Sequence, residues 1–282
     1  MSLLLVVSVL WALSFGLTAQ VSGLGAPFVT AVRTLLAALV FLPFLNLKGM
    51  APKRVAAFAA IGALQFGLMY LLYVASFHWL RSSEVALFTI FTPLFVTLVD
   101  DLLEGRSTGK VWLAVAVAVL GTGICVGSGP GRAGLLWGFL LMQGANLCFA
   151  LGQVLYRREA PATGKRDREL MGILYLGAAA VAVSLAAPWI QWHQVFTLSL
   201  RQAAVLAYLG AVASGLGFFL FNAGARRTDI GTLAIFNNVK IPLAILASGL
   251  VFREAIDWPR LILGGVVLAS ALALNGFPGG RP

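Results

Sequence analysis

The sequence predicts an all-α integral membrane protein with ten transmembrane helices, built as two inverted five-helix repeats, with both termini cytoplasmic. Of its 282 residues, 60% are hydrophobic and 11% are charged, whereas a soluble domain carries roughly 25% charged residues. A helix that crosses a bilayer needs about 20 mostly apolar residues. Runs of this length are too long for the strands of a membrane barrel, so the class is helical. The ten apolar runs lie at about 3–20, 27–47, 55–78, 83–103, 111–127, 134–156, 170–190, 202–225, 230–251 and 260–276.

The predicted spans leave no room for a soluble catalytic domain, so we expect a protein that is not an enzyme. The first span lacks the basic n-region and the small-residue cleavage site of a signal peptide, and we interpret it as a membrane helix. Cys125 and Cys148 fall inside predicted spans, where we expect small buried side chains. His78 and His193 are far apart, so we predict neither a metal site nor a cofactor.

The basic residues are distributed unevenly between the two sets of loops. Thirteen of the twenty lie in the C-terminal tail and in the loops 48–54, 104–110, 157–169 and 226–229, and five lie in the opposite loops. The positive-inside rule therefore places both termini in the cytoplasm. No basic domain carries the net charge of +10, so we expect no nucleic-acid partner. The remaining two basic residues, Arg33 and Lys240, lie inside predicted spans.

The two halves of the chain carry similar segments. "GALQFGLMYLLYVASF" (62–77) aligns with "GAVASGLGFFLFNAGA" (210–225), and each is followed by an apolar run with a proline, Pro93 or Pro242. We therefore predict one repeat over 1–128 and a second over 134–282. Because five spans are an odd number, the second repeat enters the membrane from the opposite side, as in many secondary transporters. The alternative is that spans rich in glycine, alanine and leucine resemble one another by composition.

An ordered set of segments also resembles a known family of carriers. "LWALSFGLTA", "FVTAVRTLLAALVFLPFL", "TPLFVTLVDDLLEGR" and "VFREAIDWPRLILGGVVL" together resemble the EamA branch of the drug/metabolite transporter superfamily over the whole chain. Within it, "FTPLFVTLVDD", "MQGANLCFALGQVLYRR" and "GTLAIFNNVKIP" are most similar to bacterial biotin transporters. The charged turn reads Glu-Gly-Arg where the family commonly has Gly-Glu-Arg. The resemblance implies a multi-pass protein of the bacterial inner membrane, with biotin as its substrate.

Lys240 is the first candidate for binding that substrate. An ionisable group costs about 2.5–3.5 kcal/mol at the centre of a span, so its presence there favours a function. Lys240 lies about ten residues into its span, about 15 Å deep, where its ammonium could bind a carboxylate. Pro242 frees the carbonyl of Asn238, and a broken helix there could also turn Asn237 toward the substrate. The alternative is a lysine that extends to the membrane surface beside a tolerated proline kink.

Arg33 lies about 9 Å below the outer end of its span. Its planar guanidinium suits bidentate binding of a carboxylate. Two alternatives stay open, namely extension to the membrane surface and a structural or gating ion pair with Glu84, which lies near the outer end of the fourth span. We place Glu84, Arg33, Pro93 and Pro242 in gating or coupling.

Polar side chains on three further spans are candidates for the substrate site. In the sixth span, Gln143, Asn146 and Gln153 fall within about 80° of one another on a helix. Asn146 lies about 18 Å deep and could meet Lys240, or it could form an interhelical hydrogen bond. The remaining candidates are Gln65, Tyr70 and Tyr73 in the third span, within an aromatic stripe that could equally be plain packing, and Trp11 and Ser14 in the first span.

We therefore predict a secondary transporter that imports biotin or a similar carboxylate. Lys240, with Arg33, would hold the carboxylate, Asn146 with Asn237 or Asn238 the ureido ring, and aromatic side chains the apolar body. The competing hypothesis is an exporter of amino acids or other amphipathic metabolites, since a fold sets neither substrate nor direction.

Overall fold

The structure is a computed structural model that describes residues 2–105, 134–225, 240–241 and 243–253, together with single helical positions within 113–120 and 258–270. Every regular element in these ranges is helical. The α-helices are α1 (Ser2–Val21), α2 (Ala26–Phe41), α3 (Pro52–Gly62), α4 (Met69–Ser76), α5 (Ser82–Phe88), α6 (Thr92–Leu103), α7 (Leu135–Glu159), α8 (Asp167–Ala186), α9 (Leu200–Ala207) and α10 (Gly217–Ala225).

Seven helical stretches are long and apolar enough to cross a membrane, counted over the described residues. They are Leu4–Leu24, Ala26–Phe44, Pro52–Ser76, Ser82–Leu103, Leu135–Glu159, Asp167–Trp189 and Leu200–Gly224. These stretches coincide with predicted spans 1 to 4 and 6 to 8, which confirms the helical class. The fifth and tenth predicted spans lie mostly outside the described residues, as does half of the ninth, including Asn237, Asn238 and Pro242. The count of ten spans and the sidedness of the termini stay predictions.

Two spans contain a π-helical segment in mid-membrane. Ala63–Leu68 joins α3 to α4, and Tyr208–Leu216 joins α9 to α10. The alignment of 62–77 with 210–225 places these two segments at corresponding positions of the two halves. A π-helix winds more than four residues into each turn, so it shifts the side chains that follow it around the helix axis. Such segments are frequent at functional sites.

The fourth span is broken in its middle. Helix α5 ends at Phe88, a 3₁₀ turn covers Thr89–Phe91, and α6 begins at Thr92. Pro93 lies in the first turn of α6, where a missing N–H leaves no intrahelical bond unmade. The 3₁₀ turn before Pro93, and not the proline itself, therefore interrupts the α-helix.

Helices α2 and α8 pack against each other at the centre of the bundle. The span formed by α3 and α4 packs on α8, and the span formed by α9 and α10 packs on α2. Backbones approach closely at glycines, as is common between membrane helices. A Cβ added to Gly62 would overlap the carbonyl of Leu174, and one added to Gly177 would overlap the carbonyl of Ala59. The third span and α8 are therefore in backbone contact.

We expect that Gly177→Ala destabilises the folded protein by about 1–3 kcal/mol, because the added methyl group overlaps the backbone of the third span, which cannot rotate away as a side chain can. Thermal unfolding of the purified protein in detergent, followed by size-exclusion chromatography, measures this loss. Gly23→Ala is the matched control, since nothing lies within 4 Å of a Cβ built at Gly23. Equal melting temperatures for the two variants would contradict the close contact of α8 with the third span.

Candidate functional site

A cavity lies between two groups of helices in the middle of the bundle. One wall comes from α4, α7 and the break in the fourth span, and the other from α1, α10 and the helical residue 240. The space open to the centres of water molecules is about 70 Å³, enough for several waters. The lining residues are Trp11, Ser14, Phe15, Arg33, Met69, Tyr70, Tyr73, Thr89, Thr92, Met142, Ala145, Asn146, Phe149, Phe218 and Lys240.

Arg33 reaches this cavity from α2 and is only 2% exposed. Its Nη1 donates to the Thr18 hydroxyl at 3.0 Å, its Nη2 to the Tyr70 hydroxyl at 3.0 Å, and its Nε to the Ser214 hydroxyl at 3.2 Å. The guanidinium carbon also lies 4.1 Å from the centre of the Tyr70 ring, a cation–π distance. Only neutral oxygen atoms receive these hydrogen bonds.

The ion pair of Arg33 with Glu84 that the sequence allowed does not form in this structure. Glu84 is instead the third residue of α5, and its Oε2 accepts from the backbone N–H of Arg81 at 2.8 Å. This is one half of a capping box at a helix N-terminus, which also benefits from a negative charge. Glu84 therefore stabilises the N-terminal end of the fourth span.

The π-helical segment Tyr208–Leu216 anchors two walls of the cavity. Trp11 donates its Nε1–H to the carbonyl of Ala213 at 2.9 Å, and Tyr175 donates its hydroxyl to the carbonyl of Ser214 at 2.6 Å. The Ser214 hydroxyl in turn donates to the carbonyl of Leu209, five residues earlier, at 2.7 Å. Side chains from α1 and α8 therefore bond to backbone carbonyls that an α-helix would keep for itself.

Lys240 lies on the wall opposite Asn146 and is 6% exposed. Its Nζ is 4.8 Å from the centre of the Trp11 ring, within the range of a cation–π interaction. The structure thus places Lys240 at the cavity, and its depth in the membrane stays a prediction. Two buried cations, Lys240 and Arg33, line one space, and no acidic residue is among the described lining residues.

Asn146 fixes the break in the fourth span. Its Nδ2 donates to the carbonyl of Phe88 at 2.8 Å and to Oε1 of Gln143 at 3.1 Å, and its Oδ1 accepts from the Thr92 hydroxyl at 3.1 Å. The Phe88 carbonyl is the last of α5, at the point where the helix changes to the 3₁₀ turn, so Asn146 ties α7 to the irregular part of the fourth span. In this conformation Asn146 both lines the cavity and makes the interhelical hydrogen bonds that were its alternative interpretation.

The structure brings most of the predicted side chains together but not all of them. Trp11, Ser14, Tyr70 and Tyr73 line the cavity with Arg33, Asn146 and Lys240. Gln65 is fully buried beside Gly152 of α7, away from the cavity lining. Gln143 does not line the cavity either, but its Oε1 accepts a hydrogen bond from the Asn146 amide. Gln65 and Tyr70 lie in the same span, but the π-helical segment Ala63–Leu68 changes the angle between their side chains from the one that an α-helix would give.

Several residues of the site were not predicted from the sequence. Thr18 and Ser214 bind Arg33, and Phe218 lies 4.7 Å from Trp11, 4.8 Å from Phe66 and 5.6 Å from Phe149 between ring centres. Small hydroxyl residues and phenylalanines are common throughout these spans, so only their position in the folded bundle distinguishes them.

A bundle of membrane-spanning helices around a buried, positively charged cavity defines a multi-pass membrane protein with a small-molecule site. Comparison with known proteins identifies the family. The chain belongs to the EamA-like transporter family, whose model matches residues 1–127 and again residues 136–276.

Named relatives agree with this membership. The chain is 40% identical to the probable biotin transporter of Pseudomonas aeruginosa, over 98% of this chain and 97% of the relative. It is 36% identical to the biotin transporter of Escherichia coli K12 and to that of Salmonella typhimurium, over 96% of this chain and 91% of each relative. A crystal structure of a protein 18% identical in sequence shares the fold, with a TM-score of 0.67 over 97% of this chain and 95% of that one.

We expect Asn146→Asp to lower the stability of the substrate-free protein by about 1–3 kcal/mol, because the carboxylate cannot donate to the Phe88 carbonyl. Gln143→Met is the milder control, since it removes only the second acceptor of the Asn146 amide. Thermal unfolding without substrate measures both changes. An Asn146→Asp protein as stable as the wild type would contradict the capping role.

Proposed function

We propose that the chain is a secondary transporter that carries biotin across the inner membrane into the cell by alternating access. The observation that carries this proposal is the charge of the cavity, which Arg33 and Lys240 line without an acidic residue among its described lining residues. An ionisable group inside a membrane span is costly, so its presence favours a function, and an anionic substrate suits a cavity lined by two basic residues. The names of the relatives support biotin, which is a carboxylate at neutral pH.

In the proposed complex the two cations bind the carboxylate. Trp11, Tyr70 and Tyr73 supply aromatic surface for the apolar body of the substrate, and Ser14 adds a hydroxyl. Asn146, with Asn237 or Asn238, would bind the ureido ring. Because the Asn146 amide already has three partners, its contact with substrate requires the break in the fourth span to rearrange.

The packing of the helices supports an inverted repeat as the basis of alternating access. In such a repeat α2 corresponds to α8, the third span to the eighth, and α1 to α7. If each element is replaced by its counterpart in the other half, the contact of α2 with Tyr208–Leu216 should be matched by a contact of α8 with Ala63–Leu68. Both contacts are present and extensive. Likewise, the contact of α1 with α10 becomes that of α7 with α4. Two related halves around one site can rock against each other.

Aromatic side chains pack at both ends of the cavity. Toward the predicted cytoplasmic side, Phe221 packs on Trp11 at 5.1 Å and on Phe149 at 5.8 Å between ring centres. Toward the predicted outer side, Phe15 packs on Tyr73 at 6.2 Å. A ligand of the size of biotin needs more room than the present cavity has, so we propose that the two groups of helices separate when it binds.

We expect Lys240→Met to lower the efficiency of biotin uptake by about 10- to 100-fold, because a charge-assisted interaction contributes about 1.5–3 kcal/mol. Uptake of radiolabelled biotin into proteoliposomes measures the effect, and Lys240→Arg should retain part of the activity. Lys48→Ala, at an exposed loop residue, is the control for removal of a lysine. Normal uptake by Lys240→Met would refute its role. Saturable uptake of amino acids with none of biotin would instead favour the exporter hypothesis.

The energetics of anion import require a driving force. Moving one anion inward against an inside-negative potential costs about 2.3 kcal/mol per 100 mV, so accumulation needs a coupled cation or consumption of the product. We propose Glu84 as the proton carrier, since it lies at the predicted outer end of its span and is neither exposed nor fully buried. Protonation would weaken its cap on α5, which would link the proton to the broken span.

We expect Glu84→Gln to abolish biotin accumulation driven by an imposed pH gradient, while exchange of internal for external biotin continues. Glutamine keeps an oxygen acceptor for the Arg81 N–H, so the cap survives and only the titration is lost. Glu159→Gln, at the exposed end of α7, controls for loss of a carboxylate. Unchanged accumulation and pH dependence in Glu84→Gln would exclude coupling through this residue.

A further inference from the structure

Three hydroxyl groups hold the guanidinium of Arg33, one on each of its nitrogens and each from a different helical element. Thr18 of α1 binds Nη1, Tyr70 of α4 binds Nη2, and Ser214 of the π-helical segment binds Nε. A guanidinium carries five N–H groups, of which these bonds use three. These three bonds leave one N–H on each terminal nitrogen, and the Tyr73 ring is a further neighbour, with its centre 5.9 Å from the guanidinium carbon.

The hydroxyl groups are themselves oriented by the backbone. Thr18 donates its proton to the carbonyl of Ser14 at 2.7 Å, and Ser214 donates its proton to the carbonyl of Leu209 at 2.7 Å. Each hydroxyl therefore turns a lone pair toward Arg33. The Tyr70 hydroxyl lies 2.7 Å from the Ser214 oxygen, and since the Ser214 proton is already used, Tyr70 is the donor there.

This arrangement fixes the direction of the guanidinium without cancelling its charge. All three partners are neutral, and no carboxylate pairs with Arg33 among the described residues. A purely structural arginine would be expected to pair with an acidic group, because a buried cation left without one is costly. The two N–H groups left over instead suit the two oxygens of a carboxylate, which arginine binds bidentately.

We propose that Thr18 and Ser214 are positioning residues that aim Arg33 at the carboxylate of the substrate. The π-helical winding of Tyr208–Leu216 gives Ser214 this role, because it places the Leu209 carbonyl where the Ser214 hydroxyl can donate to it. The inference rests on the proposed function, since it takes the substrate to be an anion bound in this cavity.

The test compares the binding of biotin with that of biotin amide, which has the same body but no charge. We expect Thr18→Val and Ser214→Ala each to raise the Kd for biotin about tenfold, and to leave the Kd for the amide within about twofold. Loss of a packing role would weaken both ligands alike, so the ratio of the two Kd values separates positioning from structure. Ser214→Thr keeps a hydroxyl group at this position, so it should retain most of the affinity for biotin that Ser214→Ala loses.

Two variants serve as matched controls. Thr34→Val and Ser76→Ala also remove buried hydroxyls, but these donate to carbonyls of their own helices at 2.9 Å and 2.7 Å. Both should bind biotin and its amide like the wild type. Equal weakening of both ligands by Thr18→Val and Ser214→Ala, or no weakening of either, would overturn the inference.

The result also distinguishes the inference from the proposed function. A wild-type protein that does not bind biotin refutes the proposed function and the inference with it. Biotin binding that depends on Lys240 but is indifferent to Thr18 and Ser214 refutes the inference alone. A charge-selective loss in both Thr18→Val and Ser214→Ala supports the inference whatever the role of Lys240.

Discussion

The site depends on one constraint, the need to satisfy polar groups of the backbone inside membrane-spanning helices. In a membrane, backbone carbonyls released by irregular winding must find partners inside the protein. The π-helical segment Tyr208–Leu216 meets this need with side chains, since Trp11 binds the Ala213 carbonyl and Tyr175 binds the Ser214 carbonyl. Because Trp11 also lines the cavity, the same bond that satisfies the backbone positions a wall of the site.

The break in the fourth span obeys the same constraint in another way. Helix α5 stops at Phe88, and the amide of Asn146 on α7 donates to the Phe88 carbonyl at the start of the 3₁₀ turn. A polar side chain on one helix thereby holds an irregular turn on another, and both border the cavity. Movement of either helix exchanges these bonds for others, so a change of conformation is inexpensive only where substrate or water can replace them.

The sequence predicted those features that depend on composition and on charges in an apolar setting. Seven of the predicted spans are present in the described part of the chain, and Arg33 and Lys240 share one cavity. Both could be singled out because they are the two basic residues that lie inside predicted spans. Gln65 and Ser214 could not be placed, because a π-helical segment changes the angular register and apolar spans give no periodic signal for it. Partners such as Thr18 could not be identified from the sequence, because hydroxyl residues form local hydrogen bonds in many membrane helices and do not by themselves indicate a site.

The two π-helical segments correspond in position but not in chemistry. In the first, Gln65 is fully buried and its amide has no hydrogen-bond partner among the described residues. Its counterpart in the alignment is Ala213, whose carbonyl receives Trp11. A repeated fold can supply two equivalent hinges, but a substrate that is charged at one end only, such as the proposed carboxylate, needs an asymmetric site. The second half, which contributes Ser214 and Lys240, therefore contributes polar contacts to the cavity that the first half does not mirror.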